Sequence, residues 1–253
     1  MIQVKKIKER VNLWYRILDK LTVCDDTFSK EKLINRLTAL NKPTILSFVN
    51  AHALNIAWKD NGFAETLLKS DVLLLDGIGV KILLKLIKYP YGLNFNGTDF
   101  IPELLEKLPK SKQVAVYGTR EPFLSKGIRK IQGMGYSSIS VEHGFHPDKY
   151  YIEKFQSTSP DIIILAMGMF KQEKISIVLR EVTSGRAILV INGGAIIDFL
   201  GERFPRAPKY MREHSLEWLY RLLQEPRRLW RRNLGSIVFL MRALICFFYM
   251  NKQ

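Results

Sequence analysis

Cysteine is scarce: two in 253 residues, Cys24 and Cys246, far apart and in no metal-binding pattern. The expectation is two unpaired thiols in a reducing compartment. Acidic residues are also short, 24 against 39 lysines and arginines, which leaves a net charge of +15. So strong a balance points to an anionic partner: nucleic acid, anionic lipid or a phosphorylated substrate. Neither a GxGxxG nor a P-loop pattern is present, and there is no internal repeat or Ser/Gly linker. The basic start MIQVKKIKER is not followed by the apolar run of a secretory leader, so none is expected. The most apolar stretch, Leu234 to Met250, is 17 residues long with Arg242 inside it. A spanning helix needs about 20, so this stretch is expected to lie in or on a bilayer. No signature of a DNA- or RNA-binding fold is seen, so nucleic acid is not an expected partner.

What is present is the composition of a folded chain, 47% hydrophobic and 25% charged, which excludes general disorder. Six short apolar runs read as strands: Pro43 to Val49, Asp71 to Leu75, Gln113 to Tyr117, Ser138 to Val141, Pro160 to Ala166 and Ala187 to Ile191. Residues 1–40 are expected to be helical in part. Helical spacing follows over Asn50 to Lys59, around Val80 to Lys88 and from Thr98 to Leu108. Alternation of strand and helix predicts a Rossmann-like α/β fold, with a largely parallel sheet flanked by helices. We expect an α/β domain over 1–200, with halves of about 1–110 and 111–200, and a helical membrane-binding appendage over 201–253.

Ligands of such sheets sit at the carboxyl ends of the strands, and the Gly-, Asn- and Asp-bearing loops fall there. Asp76 follows a strand and precedes Gly77-Ile78-Gly79. It could take a proton from an attacking hydroxyl, or cap the next helix. Gly118-Thr119 and Gly193-Gly194 follow strands and could let backbone N–H groups approach phosphate, or simply form tight turns. Asp198, beyond Gly194, could reach a ribose or base, or be a solvated helix residue. Gln172 and Glu173 could hydrogen-bond a sugar, or begin a surface helix. His143 and His146 flank Gly144-Phe145 without a converging Cys or carboxylate pattern, so no zinc site is expected.

The basic charge concentrates late. Arg203 to Arg232 holds nine basic residues against Glu213, Glu217 and Glu225. Arg221, Arg228 and Arg231 share roughly one face if a helix runs through them. They suit a pyrophosphate or anionic headgroups, or form a solvated face. The adjacent apolar stretch favours a membrane surface.

Taken together these segments resemble the WecG/TagA/CpsF glycosyltransferases, which build bacterial surface polysaccharides and teichoic acid linkage units. The resembling parts are Phe48-Val49-Asn50-Ala51-His52, Asp76-Gly77-Ile78-Gly79-Val80 and Gly97-Thr98-Asp99. Further on come Gly168 to Glu173 and Asn192 to Asp198, then Arg206-Ala207-Pro208-Lys209-Tyr210, Leu216 to Arg221 and Glu225-Pro226-Arg227-Arg228. The likeness covers roughly residues 43–232, and its last block is the most specific.

The resemblance implies an inverting, metal-independent transferase without a cofactor. It implies a UDP-sugar donor, a polyprenyl-pyrophosphate-linked acceptor and a peripheral place at the cytoplasmic face of the bacterial inner membrane. It maps the general base onto Asp76, the sugar pocket onto Gln172 and the nucleotide contact onto Asp198. The appendage arginines near the diphosphate map onto Arg221, Arg228 and Arg231. Asn50, Asp99, Gly118, Gly193 and Gly194 complete the expected substrate-binding set. Two positions depart from the family pattern: Phe48 stands where many members carry Thr, and Asn94 where many carry Arg. A hexose or uronic acid donor is therefore as open as N-acetylmannosamine. The competing expectation is a non-catalytic nucleotide-binding module docking at membranes. An apolar tail favours self-association without a bilayer, which leaves a homo-oligomer open.

Overall fold

The structure, a computed structural model, describes residues 2–205, 207, 208, 210, 211, 220, 223 and 226–250. Among the described residues six strands are formed: β1 (Thr44–Val49), β2 (Val72–Leu75), β3 (Val114–Gly118), β4 (Ser138–Glu142), β5 (Ile162–Ala166) and β6 (Leu189–Asn192). They make one sheet in the order β2-β1-β6-β5-β3-β4. Every pairing is parallel. The expected α/β architecture is therefore what forms, and each strand lies where an apolar run predicts one. Five of them, TILSFV, VLLL, VAVYG, IIILA and LVIN, are buried at every residue. That is the pattern of strands covered on both faces.

The helices supply the cover. They are α1 (Ile2–Asp19), α2 (Thr27–Thr38), α3 (Ala51–Ala57), α4 (Asn61–Leu68), α5 (Ile78–Leu86) and α6 (Gly97–Lys107). Then come α7 (Phe123–Gly133), α8 (Asp148–Thr158), α9 (Lys171–Val182), α10 (Ile196–Leu200) and α11 (Pro226–Met250). Alternate strand residues serve opposite faces. Leu46, Leu74, Val116, Ile164 and Ile191 meet residues of α2, α6, α7 and α10. On the other face, Leu73 and Leu75 meet α1, α3, α4, α5 and α11, while Tyr117, Leu165 and Val190 meet α8 and α9.

Two findings differ from the sequence expectation. Helix α4 is short, with only Phe63, Ala64 and Leu67 buried, and its period is too brief to stand out. The apolar stretch from Leu234 is not a separate segment. It continues a 25-residue helix that begins at Pro226, where proline suits a first turn. No helix among the described residues is long and apolar enough to cross a membrane.

Helix α11 docks on the fold instead. Phe239, Ala243 and Cys246 are buried against the cluster built by α1, α3 and α5. Arg242, which interrupts the apolar stretch, turns inward. It donates to the backbone carbonyl of Asn55 (3.1 Å) and to its Oδ1 (2.6 Å), and lies 5.4 Å from the ring of Trp58. The Asn55 amide in turn donates to the carbonyl of Gly235 (2.6 Å). Trp14 joins three helices at this place. Its indole N–H donates to the Leu54 carbonyl (2.8 Å), and its ring packs edge-on to Trp58 and stacks on Phe239.

Trp14→Ala is expected to destabilise the protein by about 3–5 kcal/mol, the usual range for a large buried aromatic. Urea unfolding followed by circular dichroism measures it. Limited proteolysis is expected to reach α11 first in the variant, because the removed ring is the one that Phe239 stacks on.

Candidate functional site

Parallel strands deliver their loops to one edge, and a cavity of about 910 Å³ opens there. It runs from the ends of β1 and β2, across β6 and β5, to the end of β3. Its far rim is α11, through Gly235, Ser236, Phe239 and Leu240.

Asp76 stands on one wall, directly after β2. Its N–H donates to the Val49 carbonyl (2.8 Å), which fixes the chain as it leaves the sheet. The next residue, Gly77, has φ of +103°, a conformation that glycine adopts without strain. The N-cap position of α5 is Gly77, with no side-chain cap bond. Asp76 is therefore not the N-cap of that helix. Asn94 accepts from the Gly77 N–H through its Oδ1 (2.6 Å), so the neutral amide shapes the turn behind Asp76. Phe48 also lines this wall. It packs against Phe100, and a Cβ on Gly97 would come within 3.6 Å of its ring.

Asn50 lies beside them as the N-cap of α3. Its Oδ1 accepts from the Ala53 N–H (3.0 Å). His52, Asn55, Asn96 and Thr98 complete the polar part of this wall; sequence reasoning did not single them out as site residues. Asp99 is in the first turn of α6, just past the lining, where an acidic charge suits the positive end of a helix.

The opposite wall is built around Asp198. It is not a solvated helix residue: it accepts from the Thr119 hydroxyl and from Arg203 (3.1 Å). Thr119 follows Gly118, which ends β3. A Cβ on Gly118 would fall 2.2 Å from the Ala166 carbonyl oxygen of the neighbouring strand, so only glycine fits. Arg120 and Arg203 bring positive charge to the lining. Sequence reasoning counted Arg203 among the basic residues without giving it a role. Phe145, 71% exposed, stands at the rim. Its loop is held by Lys171, which donates to the carbonyls of Gly144 and His146. His143 and His146 stack on each other at 3.9 Å.

The floor is the end of β6. Gly193 and Gly194 line the cavity, but their N–H groups are already engaged. Gly193 donates to the Leu165 carbonyl (2.8 Å) and Gly194 to Gln172 Oε1 (3.1 Å). The two glycines give room rather than a phosphate cradle. Gln172 and Glu173 do not begin a surface helix: both are only 2% exposed. The Gln172 amide donates to Glu173 Oε1 (2.8 Å). Asn192 donates to Ser47 (2.8 Å) and Ser176 (3.2 Å), tying β6 to β1 and α9.

Arg221 lies outside the described residues, ahead of α11. Arg228 and Arg231 belong to the first turns of α11, and their side chains also lie outside the described set. Among the described residues no three His, Cys, Asp or Glu side chains converge.

Burial pushes the Glu173 carboxyl up to about 7, against an ordinary 4.5. The fold thus favours its neutral form, while the unfolded chain releases the proton earlier. Its stabilising effect is full below about 4.5 and is lost as pH rises through about 7. Relative to wild type, Glu173→Gln is expected to gain stability between pH 5 and 7.5, by up to roughly 3 kcal/mol, and to level off above that. Urea midpoints at four or five pH values measure the difference. A constant difference across that range would mean an ordinary carboxylate at this position.

The chain matches the model of the "Glycosyl transferase WecG/TagA/CpsF family" over residues 18–253. Three similar proteins carry the same description, N-acetylglucosaminyldiphosphoundecaprenol N-acetyl-beta-D-mannosaminyltransferase. That of Bacillus spizizenii is 30% identical over 199 residues, 77% of this chain and 76% of its own length. That of Bacillus subtilis is 30% identical over 76% of this chain and 75% of its own length. That of Staphylococcus aureus is 26% identical over 72% of each. A match of this extent decides between transferase and non-catalytic module: the chain belongs to the WecG/TagA/CpsF family and is a glycosyltransferase.

Proposed function

We propose that this transferase moves a sugar from a UDP-sugar onto a saccharide carried by polyprenyl diphosphate, in cell-surface polysaccharide synthesis. The observation that carries the reading is the cavity itself. It joins Asp76 on one wall to Thr119, Asp198 and Arg203 on the other, with α11 along its rim. The relatives' names specify a diphosphoundecaprenol acceptor and an N-acetylmannosaminyl donor group. A lipid-linked acceptor also fits a rim whose helix, α11, exposes Ile237, Leu240 and Met241.

The nucleotide half binds at β3, β5 and β6. Phe145 offers a flat exposed ring for a base, and Asp198, held by Thr119 and Arg203, accepts from base or ribose. Arg120 and Arg203 attract the diphosphate. The sugar lies toward Asn50, Gln172 and Phe48, with Asp76 on its far side. Asp76 takes the proton of the acceptor hydroxyl as that oxygen bonds to the anomeric carbon. The bond from that carbon to the UDP oxygen breaks, and UDP leaves with the electron pair. A single displacement inverts the anomeric configuration.

Charge then grows on the departing β-phosphate. Arg203 and Arg120, joined by Arg221, Arg228 and Arg231, neutralise it without a metal ion. Gly193 and Gly194 admit the diphosphate closely, but their committed N–H groups leave the neutralisation to side chains. Phe48 and Asn94 give the sugar wall a ring and a neutral amide. A hexose, uronic acid or N-acetylhexosamine donor therefore belongs in the test. The place of action is the cytoplasmic membrane surface, peripherally bound.

The test is UDP release by the full chain with EDTA present, across a panel of UDP-sugars and a polyprenyl-diphosphate-linked acceptor in detergent. Release is expected with one donor and only with the lipid acceptor. Loss of release in EDTA, restored by a divalent ion, would overturn metal independence. Asp76→Asn is expected to lower kcat by about 100–10,000-fold, the range of a lost general base, while UDP affinity stays within a few fold. Near-normal turnover of that variant at saturating substrate would remove Asp76 from the mechanism.

A further inference from the structure

Helix α5 leaves an apolar stripe exposed. Val80, Leu83 and Leu84 face the core. Ile78, Ile82 and Leu86, four residues apart, face outward at 37%, 43% and 44% exposure. One exposed leucine is ordinary; three on consecutive turns of one short helix form a face. Lys81 and Lys85 lie along one edge of that face, Lys88 follows the helix, and α5 carries no acidic residue.

A second such face lies beside it. The outer side of α11 exposes Ile237, Leu240, Met241, Leu244 and Phe248, and its sequence also lacks any acid. The helices touch where Gly79 passes under Phe239; a Cβ there would sit 3.5 Å from that ring. Ile78 and Leu240 both border the cavity. The two stripes therefore start from one opening.

We propose that α5 is a membrane-contact element, seating Ile78, Ile82 and Leu86 on an anionic phospholipid surface together with the outer face of α11. The chemistry selects this occupant. Apolar side chains enter the acyl boundary while lysines at their flanks reach phosphate oxygens. The stripe offers no hydrogen-bonding side chain with which a protein partner would be specified. Asp76 stands two residues ahead of Ile78, so seating α5 places the base beside the lipid from which the acceptor hydroxyl arrives. The inference rests on the lipid-linked acceptor reading and adds a contact made by the catalytic domain itself.

The experiment labels Ile82→Cys with an environment-sensitive dye in the full chain, with Leu244→Cys as the α11 reference. The native thiols will not compete, since Cys24 and Cys246 are buried at 3% and 2% exposure. Burial also pushes the Cys246 thiol up to about 12. The probe is phosphatidylcholine vesicles with or without phosphatidylglycerol. Both labels are expected to shift to the blue with anionic vesicles, and much less with neutral ones. Unlabelled Ile82→Ser/Leu86→Ser is expected to co-sediment with anionic vesicles about ten-fold more weakly, with UDP binding by calorimetry retained. A blue shift at 244 but not at 82, with co-sedimentation like wild type, overturns the inference and leaves the transferase reading standing. No shift at either position overturns it along with the membrane-surface reading. If the double serine variant fails to bind UDP, the two labels alone decide.

Discussion

Burying a parallel sheet on both faces is the constraint from which this structure follows. Once helices cover each side, a polar strand side chain without a partner is costly. Ser47, inside the sheet, is bonded twice: it accepts from Ser70 (2.8 Å) and from Asn192 (2.8 Å). Chemistry is thereby driven to the strand ends, and in a parallel sheet alternate loops leave at one edge. Asp76, Thr119, Gly168 and Gly193 come together for that reason, although more than a hundred residues separate the first from the last. The strand order sharpens the effect. Placing β6 between β1 and β5 puts the chain's last strand at the centre, so its small residues become the floor between two polar walls.

The elements that faced inward on all sides were the most legible in sequence. IIILA and VLLL are apolar runs of strand length, and they form covered strands. Polar residues were less so, because their type predicts exposure and only tertiary packing reverses it. Gln172 and Glu173 look like a solvated helix start, yet they lie in the interior and brace Gly194. Arg242 looks like an interruption of an apolar run, yet it is the bond between that run and α3. The clustering of Asp198 with Thr119 and Arg203 depends on contacts across 79 residues, which no local pattern carries. Several of the family motifs lie in loops that border the cavity; what each side chain holds there had to come from packing.

The glycines divide by task. Gly118 is required by its neighbour, since a side chain would enter the Ala166 carbonyl. Gly77 and Gly194 are required by their backbone, with φ of +103° and +57°. Gly193 is a third case, where a Cβ would come 2.6 Å from Ile196. Their joint effect is a cavity whose floor and turn carry no side-chain bulk. Shape and polarity then fall to the side chains at the walls, where Phe48 contributes a ring and Asn94 a neutral amide.

Asn55 has a wider consequence. It lines the cavity, and it is bonded to both Gly235 and Arg242 of α11. A ligand that fills the space between the two walls and this rim touches groups held in place only while α11 is docked. Such a ligand binds the docked arrangement more tightly, and by reciprocity docking raises the affinity for the ligand by the same factor. Occupancy of the cavity and the seating of the helix are then two readings of a single equilibrium, and whatever pulls on α11 from outside is felt by the substrate within.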